Sequence, residues 1–524
     1  MICDLNEQLS ETHTIDAGVL IIGAGIAGLV TAVKLHERGV RSVVVESGGR
    51  VQESDSHALN RVEQTGQIYA GAEHRFRCLG GTSSRWGGAM IPLLPEDMDI
   101  HTAGWAPPWH VPYERIMAQL PDIERKFGLT AGSYEDPEII GPLGPAAEAF
   151  VARLAKWPPF RMRNVAIAFD KALRAADGPE IWLNANVTEF AFDPAGELRG
   201  VVARSPGGRK LQVTARSVVV AAGAIESTRL LLIADRQCDQ RLFAPDDILG
   251  RYFNDHLSAP IADLKPRGRV ALNRVVGFRF ERGTMRNLRF EMRGVARRQS
   301  NLPASFTHVA YESTGRSGFD ALREVFRALQ TRRLPQASDV TRTFLDLPWL
   351  IRAVWWRYCH GRLLYPSNGM FTAHLVTEQR PMPENRITLS AGSSDAFGLP
   401  LARLHWRVGD EDQMAFSKIA KRFFAMWRES RLQHLAELVP WDESKSHAIL
   451  QKCGGIYHPS GTIRIGTDRS NGVVNADLQT FRVPNLYVVS TATFPVVGGA
   501  NPTLMMMLYG NDLAERLATQ RRYH

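Results

Sequence analysis

AGVLIIGAGIAGLVTAVKLHERGVRSVVVE, residues 17–46, is the segment around which the chain is organised. Val19 to Ile22 is an apolar run of strand type, and Gly23, Gly25 and Gly28 follow at G-x-G-x-x-G spacing. Leu29 to Glu37 reads as a helix ending at Gly39, and Val43 to Val45 as a second strand closed by Glu46. Each part has a physical task if the unit holds a dinucleotide. Gly23 permits a tight turn. Gly25 lets the backbone approach a pyrophosphate. Gly28 and Ala32 let the helix pack close to the sheet. The helix N-terminus offers unpaired N–H groups and partial positive charge to phosphates. Glu46, at the tip of the second strand, can accept hydrogen bonds from a ribose diol. The stretch alone does not separate FAD from NAD.

The chain has 524 residues, 44% hydrophobic and 22% charged, enough for two domains with real cores. Cys3, Cys78, Cys238, Cys359 and Cys453 are scattered, with no C-x-x-C pair. Neither a zinc site nor a disulfide framework is indicated, and a reducing, cytoplasmic location is expected. The N-terminal residues are mostly polar and acidic and lack the basic and apolar regions of a signal peptide. No apolar run reaches the roughly 18 residues of a membrane span. The net charge of +9 comes without a basic tract or nucleic-acid motif, so a solvated basic surface is expected and no nucleic-acid partner.

After Glu46, residues 47–75 read as loop with a short helix. RFRCLGGTSSRWGGAMIPL, Arg75 to Leu93, sets Gly80, Gly81, Gly87 and Gly88 around Thr82, Ser83 and Ser84. Such a loop can bring successive backbone N–H groups against phosphate or ring edges. The Pro- and Trp-rich residues that follow read as the crossing out of the first domain. Residues 113–127 look helical. Three strand patterns lie between Ile181 and Val220; the first holds Val187, where backbone can meet an adenine. Val218 to Ala222 runs into Gly223, a second strand-to-glycine turn, with a helix from Ala224 to Leu232. LGRYFNDHL, Leu249 to Leu257, marks another crossing. Residues 260–315 alternate as an antiparallel sheet would. Residues 318–365 are helical and rich in Arg and Trp; Arg323, Arg327, Arg332, Arg333, Arg342, Arg352, Arg357 and Arg362 face only Asp320, Glu324, Asp339 and Asp346. This insert reads first as a lid on the substrate domain. A second reading lays residues 346–365 on a membrane surface, though the amphipathic pattern is poor. Strands return at 370–410, then a helical region from Asp410 to Leu438. Near the C-terminus, Leu486 to Val489 is a buried strand, and Pro502 opens a helix with Asn501 as its cap.

Four blocks in this order carry a resemblance: the fingerprint, the Gly80–Gly88 loop, the Val218–Ser227 turn, and HPSGT followed by FPVVGGANPTL. Together they resemble the glucose–methanol–choline (GMC) oxidoreductases over residues 18–517, thinnest at 260–370. The GGTSSRWGG loop looks most like the pyranose-oxidase and sugar-dehydrogenase branch. The resemblance implies FAD, an alcohol substrate, a catalytic His at His458 and its partner at Asn501. It implies an α/β fold: a discontinuous Rossmann-like FAD domain from 15–100, 180–258 and 440–520. A substrate domain on an antiparallel sheet would take 101–179 and 259–439. Gly23, Gly25, Ala27, Gly28 and Glu46 would hold the ADP half. Gly81, Thr82, Ser83, Trp86, Gly87, Gly88 and Ala89, with Val187, Ala222 and Gly223, would complete the cofactor site. Thr491, Asn501, Pro502 and Thr503 would join them from the last block. The strand ending in Ser490 and Thr491 lacks the acidic residue many members carry. Arg85 stands before Trp86 where some relatives place the His that bonds covalently to flavin, so FAD is expected to be held without a covalent bond.

Oxidising an alcohol removes a hydroxyl proton and a hydride from carbon. The flavin takes the hydride; the protein supplies a base and orients the oxygen. A neutral His suits the base, and an Asn amide can bind the oxygen without titrating. The helix from Pro502 would turn its positive end to the flavin N1–C2=O edge. The resulting expectation is oxidation of a sugar, glycoside or polyol. A sterol or other apolar-alcohol oxidoreductase, and a flavin-binding redox protein without turnover, are the alternatives.

Overall fold

A computed structural model describes residues 1–98, 105, 107–194, 196–313, 317–330, 334–453 and 455–520. Part of the crossing after Leu93, Arg332, Arg333 and the side chains of Arg323, Arg327 and Cys453 lie outside the described residues.

The opening segment forms the strand Thr12–Ile22, the helix Ile26–Glu37 and the strand Ser42–Val45. Val19, Leu20, Ile21 and Val44 are at most 1% exposed, because helices cover both faces of this parallel layer. The sheet runs Ile2–Asp4, Glu180–Leu183, Ser42–Val45, Thr12–Ile22, Lys210–Val220 in spatial order. Leu486–Val488 adds beside Val218–Val220, and the antiparallel strands Leu198–Arg204 and Asn186–Phe192 extend the lower edge. The C-terminal helix Thr503–Gln520 packs along Ile26–Glu37. This parallel sheet with helices on its faces is the α/β half of the molecule.

The second sheet is antiparallel: Arg279–Glu281, Thr284–Met292, Ser305–Glu312, Met370–Glu378, His256–Pro266 and Ala436–Pro440. Phe150–Trp157 pairs with Thr284–Met292. Leu288, Phe290 and Met292 face the helix Asp410–Arg428 and join Phe416, Phe423 and Trp427 in a separate core. Arg289 and Glu291, of opposite parity on the same strand, point to the other face, as period-two alternation requires. A small sheet of Val62–Gly66, Pro400–Trp406 and Arg386–Ser394 bridges distant parts of the chain.

Several elements differ from the sequence reading. Val62–Gly66 is a strand inside the stretch read as loop, and it finds its partner more than 300 residues away. Phe150–Trp157 is a strand where Pro and aromatic residues obscured the pattern; it is buried on both faces, so it does not alternate. The helix from Asp410 stops at Arg428, and Ala436–Pro440 is a strand. Ile2–Asp4, in the mostly polar N-terminal residues, pairs with Glu180–Leu183. Among the described residues no helix is long and apolar enough to cross a membrane.

Candidate functional site

The fingerprint opens onto a cleft at the C-terminal ends of the parallel strands, the usual ligand position in such sheets. Gly23 sits at φ +109°, and a Cβ there would stand 2.7 Å from the Ala221 carbonyl oxygen. Gly28 packs against the same turn: a Cβ would fall 1.9 Å from the Gly23 oxygen. Gly25 caps the helix at φ −80°, and a Cβ there meets no protein atom within 4 Å. The space over Gly25 belongs to the cleft. Ala27, Glu46, Gly81 and Thr82 also line it, as do Val187, Ala222, Gly223, Thr491 and Thr503. Glu46 is buried; one carboxylate oxygen accepts from the Ala24 N–H and the other from the Gly48 N–H, both at 2.9 Å. Burial pushes its carboxyl pKa up, and these hydrogen bonds oppose the shift.

The glycine-rich loop contributes less wall than its sequence suggests. Gly81 touches the fingerprint, its would-be Cβ lying 2.9 Å from the Gly25 Cα. Ser83 turns inward and accepts from the Val165 N–H, and the Trp86 indole donates to the Arg163 carbonyl at 2.7 Å. Gly87 and Gly88 make room for Trp157 and Arg163. Ser83, Trp86, Gly87, Gly88 and Ala89 do not line the cleft, and neither do Gly28, Asn501 and Pro502. Sequence reading missed Asn60, His74, Arg75 and Tyr457, which do; the His74 ring stacks on Tyr457 at 4.3 Å. The Arg75 cation and the open helix N-terminus suit a pyrophosphate, and the Gly25 space suits its backbone approach, so the residues present fit a dinucleotide.

His458 and Asn501 meet, with Asn501 Nδ2 3.4 Å from His458 Nε2. Three partners fix them. Arg289 donates from Nη2 to Asn501 Oδ1 at 2.7 Å. His256 Nδ1 lies 2.9 Å from His458 Nδ1, and His256 Nε2 lies 2.7 Å from the Gly498 carbonyl. Asp255 accepts backbone N–H bonds from His256 (2.6 Å) and His458 (2.9 Å) and the Tyr69 hydroxyl (2.6 Å). It holds the His458 turn against the antiparallel sheet. Burial pushes the Asp255 carboxyl up to about 7.

The two ends of this chain assign every direction in it. A guanidinium only donates, so the Asn501 oxygen faces Arg289 and its NH₂ faces His458. A carbonyl only accepts, so His256 carries its proton on Nε2 and leaves Nδ1 bare. His458 therefore donates through Nδ1, and its Nε2 presents a lone pair beside the Asn501 amide. Burial, and then the Arg289 charge, lower the His458 pKa to about 4. Burial also pulls His256 well below the ordinary histidine range. The pair is neutral at neutral pH, so an accepting nitrogen is held ready. Asn254, Asp255 and His256 are fully buried; in sequence they show only as a polar run between Phe253 and Leu257, which does not reveal that burial.

Comparison with known proteins shows what the chain is similar to. A family model described as GMC oxidoreductase matches residues 381–510, and one described as FAD dependent oxidoreductase matches 18–243. The large subunit of fructose dehydrogenase from Gluconobacter japonicus is 21% identical over 94% of this chain and 96% of its own length. A 2-methyl-1,2-propanediol dehydrogenase from Mycolicibacterium austroafricanum is 25% identical over 56% of this chain and 46% of its own. Among solved structures, a formate oxidase from Aspergillus oryzae superposes with a TM-score of 0.56 at 15% identity, covering 97% of this chain and 99% of that one. The chain is thus similar to the GMC oxidoreductases over its C-terminal block and to FAD-dependent oxidoreductases over its N-terminal part.

Proposed function

We propose that the protein oxidises an alcohol carbon of a sugar, glycoside or polyol to a carbonyl, with His458 as base. The observation that carries the reading is the oriented chain Arg289–Asn501–His458–His256–Gly498. FAD, when bound, supplies the hydride acceptor. His458 Nε2 takes the hydroxyl proton while the Asn501 amide donates to the substrate oxygen. The proton goes no further than the His458–His256 pair, because the chain ends in the Gly498 carbonyl, which cannot pass it on. His256 is a positioning residue: it holds the proton on Nδ1 of His458 and keeps Nε2 bare. A hydroxyl-rich substrate is supported by the sheet face that carries Arg289. Trp157 donates to Asn287 there at 2.7 Å, and His308 and His374 stack at 5.5 Å, so the face that holds Asn501 carries polar side chains where a sterol would need apolar ones. Anaerobic flavin reduction by sugars, polyols and apolar alcohols tests the class; reduction by the apolar set alone would reject the sugar or polyol reading.

Removal of His256 should separate orientation from cofactor binding. His256→Leu should slow flavin reduction by about 10- to 100-fold, the scale for losing a group that orients a working histidine, with FAD content unchanged. The acid limb of the wild-type reduction rate should lie near pH 4. His458 must be neutral to act, and its lowered pKa keeps it neutral until the pH falls to about 4. A limb at the ordinary histidine pKa of about 6.5 would remove the buried neutral base from the mechanism.

FAD is retained without a covalent bond in this reading. Arg85, beside Trp86, is a poor nucleophile. Cys78 is buried with its sulfur 3.9 Å from the Ser84 hydroxyl, and burial pushes its thiol pKa up, away from the reactive thiolate. Acid precipitation should leave the yellow colour in the supernatant; colour in the pellet would overturn this.

A further inference from the structure

The helix Leu347–Cys359 has two apolar faces. Trp349, Ala353 and Trp356 form one. Trp349 meets Phe319 at 6.1 Å, Trp356 is 3% exposed against the Arg274 guanidinium, and the neighbouring Arg357 lies over the Phe280 ring at 3.3 Å. This face fastens the helix to the edge of the antiparallel sheet. Leu347, Ile351, Val354, Trp355 and Tyr358 form the other, at i, i+4, i+7, i+8 and i+11. These five are between 46% and 80% exposed, and Phe344 and Leu345 extend the patch from the preceding helix at 68% and 76%. A patch of this composition, turned to solvent on a folded chain, marks a surface that another phase or partner covers. A lid role accounts for the inner face only.

Charge points to the occupant. Between 334 and 359 the exposed charged side chains are Arg342 and Arg352, and neither Asp339 nor Asp346 is exposed to that degree. Asp346 is turned to the Gly318 N–H. Leu, Ile, Val, Trp and Tyr on one stripe, with arginines at its flank, is the composition of a helix lying in a lipid headgroup region. Trp and Tyr suit that boundary, being apolar bodies with a polar edge. A helix of 13 residues lies about 20 Å along the surface, at 1.5 Å per residue.

We infer that Leu347–Cys359, with Phe344 and Leu345, docks the protein peripherally on an anionic lipid surface through the stripe Leu347–Ile351–Val354–Trp355–Tyr358. Insertion of the apolar stripe removes it from water, and Arg342 and Arg352 pair with the anionic headgroups. The contact uses none of the cofactor-cleft or His458 residues, so it stands apart from the chemistry proposed above.

The test uses the intact holoenzyme and vesicles of phosphatidylcholine with and without phosphatidylglycerol. The protein should float with the anionic vesicles and should float less at high salt, which screens the arginines. The double variant Ile351→Glu/Trp355→Glu should reduce the floated fraction at least about tenfold, the factor for losing one buried apolar side chain. FAD content and flavin reduction rate should not change, because both residues are on the outer face. Arg342→Glu/Arg352→Glu should abolish the preference for anionic vesicles. Absence of flotation at low salt would overturn the inference, as would flotation that the Ile351/Trp355 variant retains. So would a wild-type dimer in gel filtration that this variant converts to monomer, since a second copy would then be the occupant.

Discussion

Gly25→Val should give a folded, colourless protein. The backbone at Gly25 has φ −80°, which any residue adopts, and a Cβ there meets no protein atom within 4 Å. The valine methyls would instead fill the cleft between the helix N-terminus and Thr82, where a pyrophosphate must approach the backbone. Overpacking of a fitted site costs about 3 kcal/mol, or about 100-fold in affinity, and FAD binding should weaken by about that factor. Circular dichroism and thermal unfolding of the variant should match those of wild-type apoprotein. Gly28→Val supplies the contrast: its Cβ would collide with the Gly23 carbonyl oxygen, and that variant should fail to fold. If Gly25→Val purifies yellow with full FAD content, the cleft is not the cofactor site.

His458→Ala should purify with FAD and reduce it at least about 100-fold more slowly than wild type, the scale of a lost general base. Substrate affinity should change little, since Asn501, Arg289 and the polar sheet face remain. Asn501→Ala should slow reduction as well, and with a second consequence. It leaves the Arg289 guanidinium without its Oδ1 acceptor in a site where Nε and Nη1 have no hydrogen-bond partner among the described residues, so the variant should also be less stable. Stopped-flow reduction under anaerobic conditions measures both rates directly. A wild-type rate in the His458 variant would reject the base assignment while leaving the family and cofactor untouched.

Local sequence carried the nucleotide half of the molecule. The fingerprint, Glu46, the Gly223 turn and the helix Thr503–Gln520 are read from residues within about one turn of each other, where glycine geometry and apolar periodicity act without help from distant chain. His458 and Asn501 entered as candidates through the resemblance carried by HPSGT and FPVVGGANPTL, and the structure brings them within 3.4 Å of each other. Their supports were not legible. His256 opens one antiparallel strand, with Asp255 just before it, and Arg289 stands on another; His256 and Arg289 are 202 and 212 positions from the side chains they hold. Sheet pairing sets those neighbours, and no sequence spacing encodes it. In the loop Arg75–Leu93 the glycines divide: Gly81 lies against Gly25 at the cleft, while Gly87 and Gly88 make room for Trp157 and Arg163, a division that spacing alone does not show. The outer stripe of Leu347–Cys359 was hidden for a different reason. Apolar residues on both sides of a helix cancel in any periodicity, and only its docking through Trp356 shows which side is left in solvent.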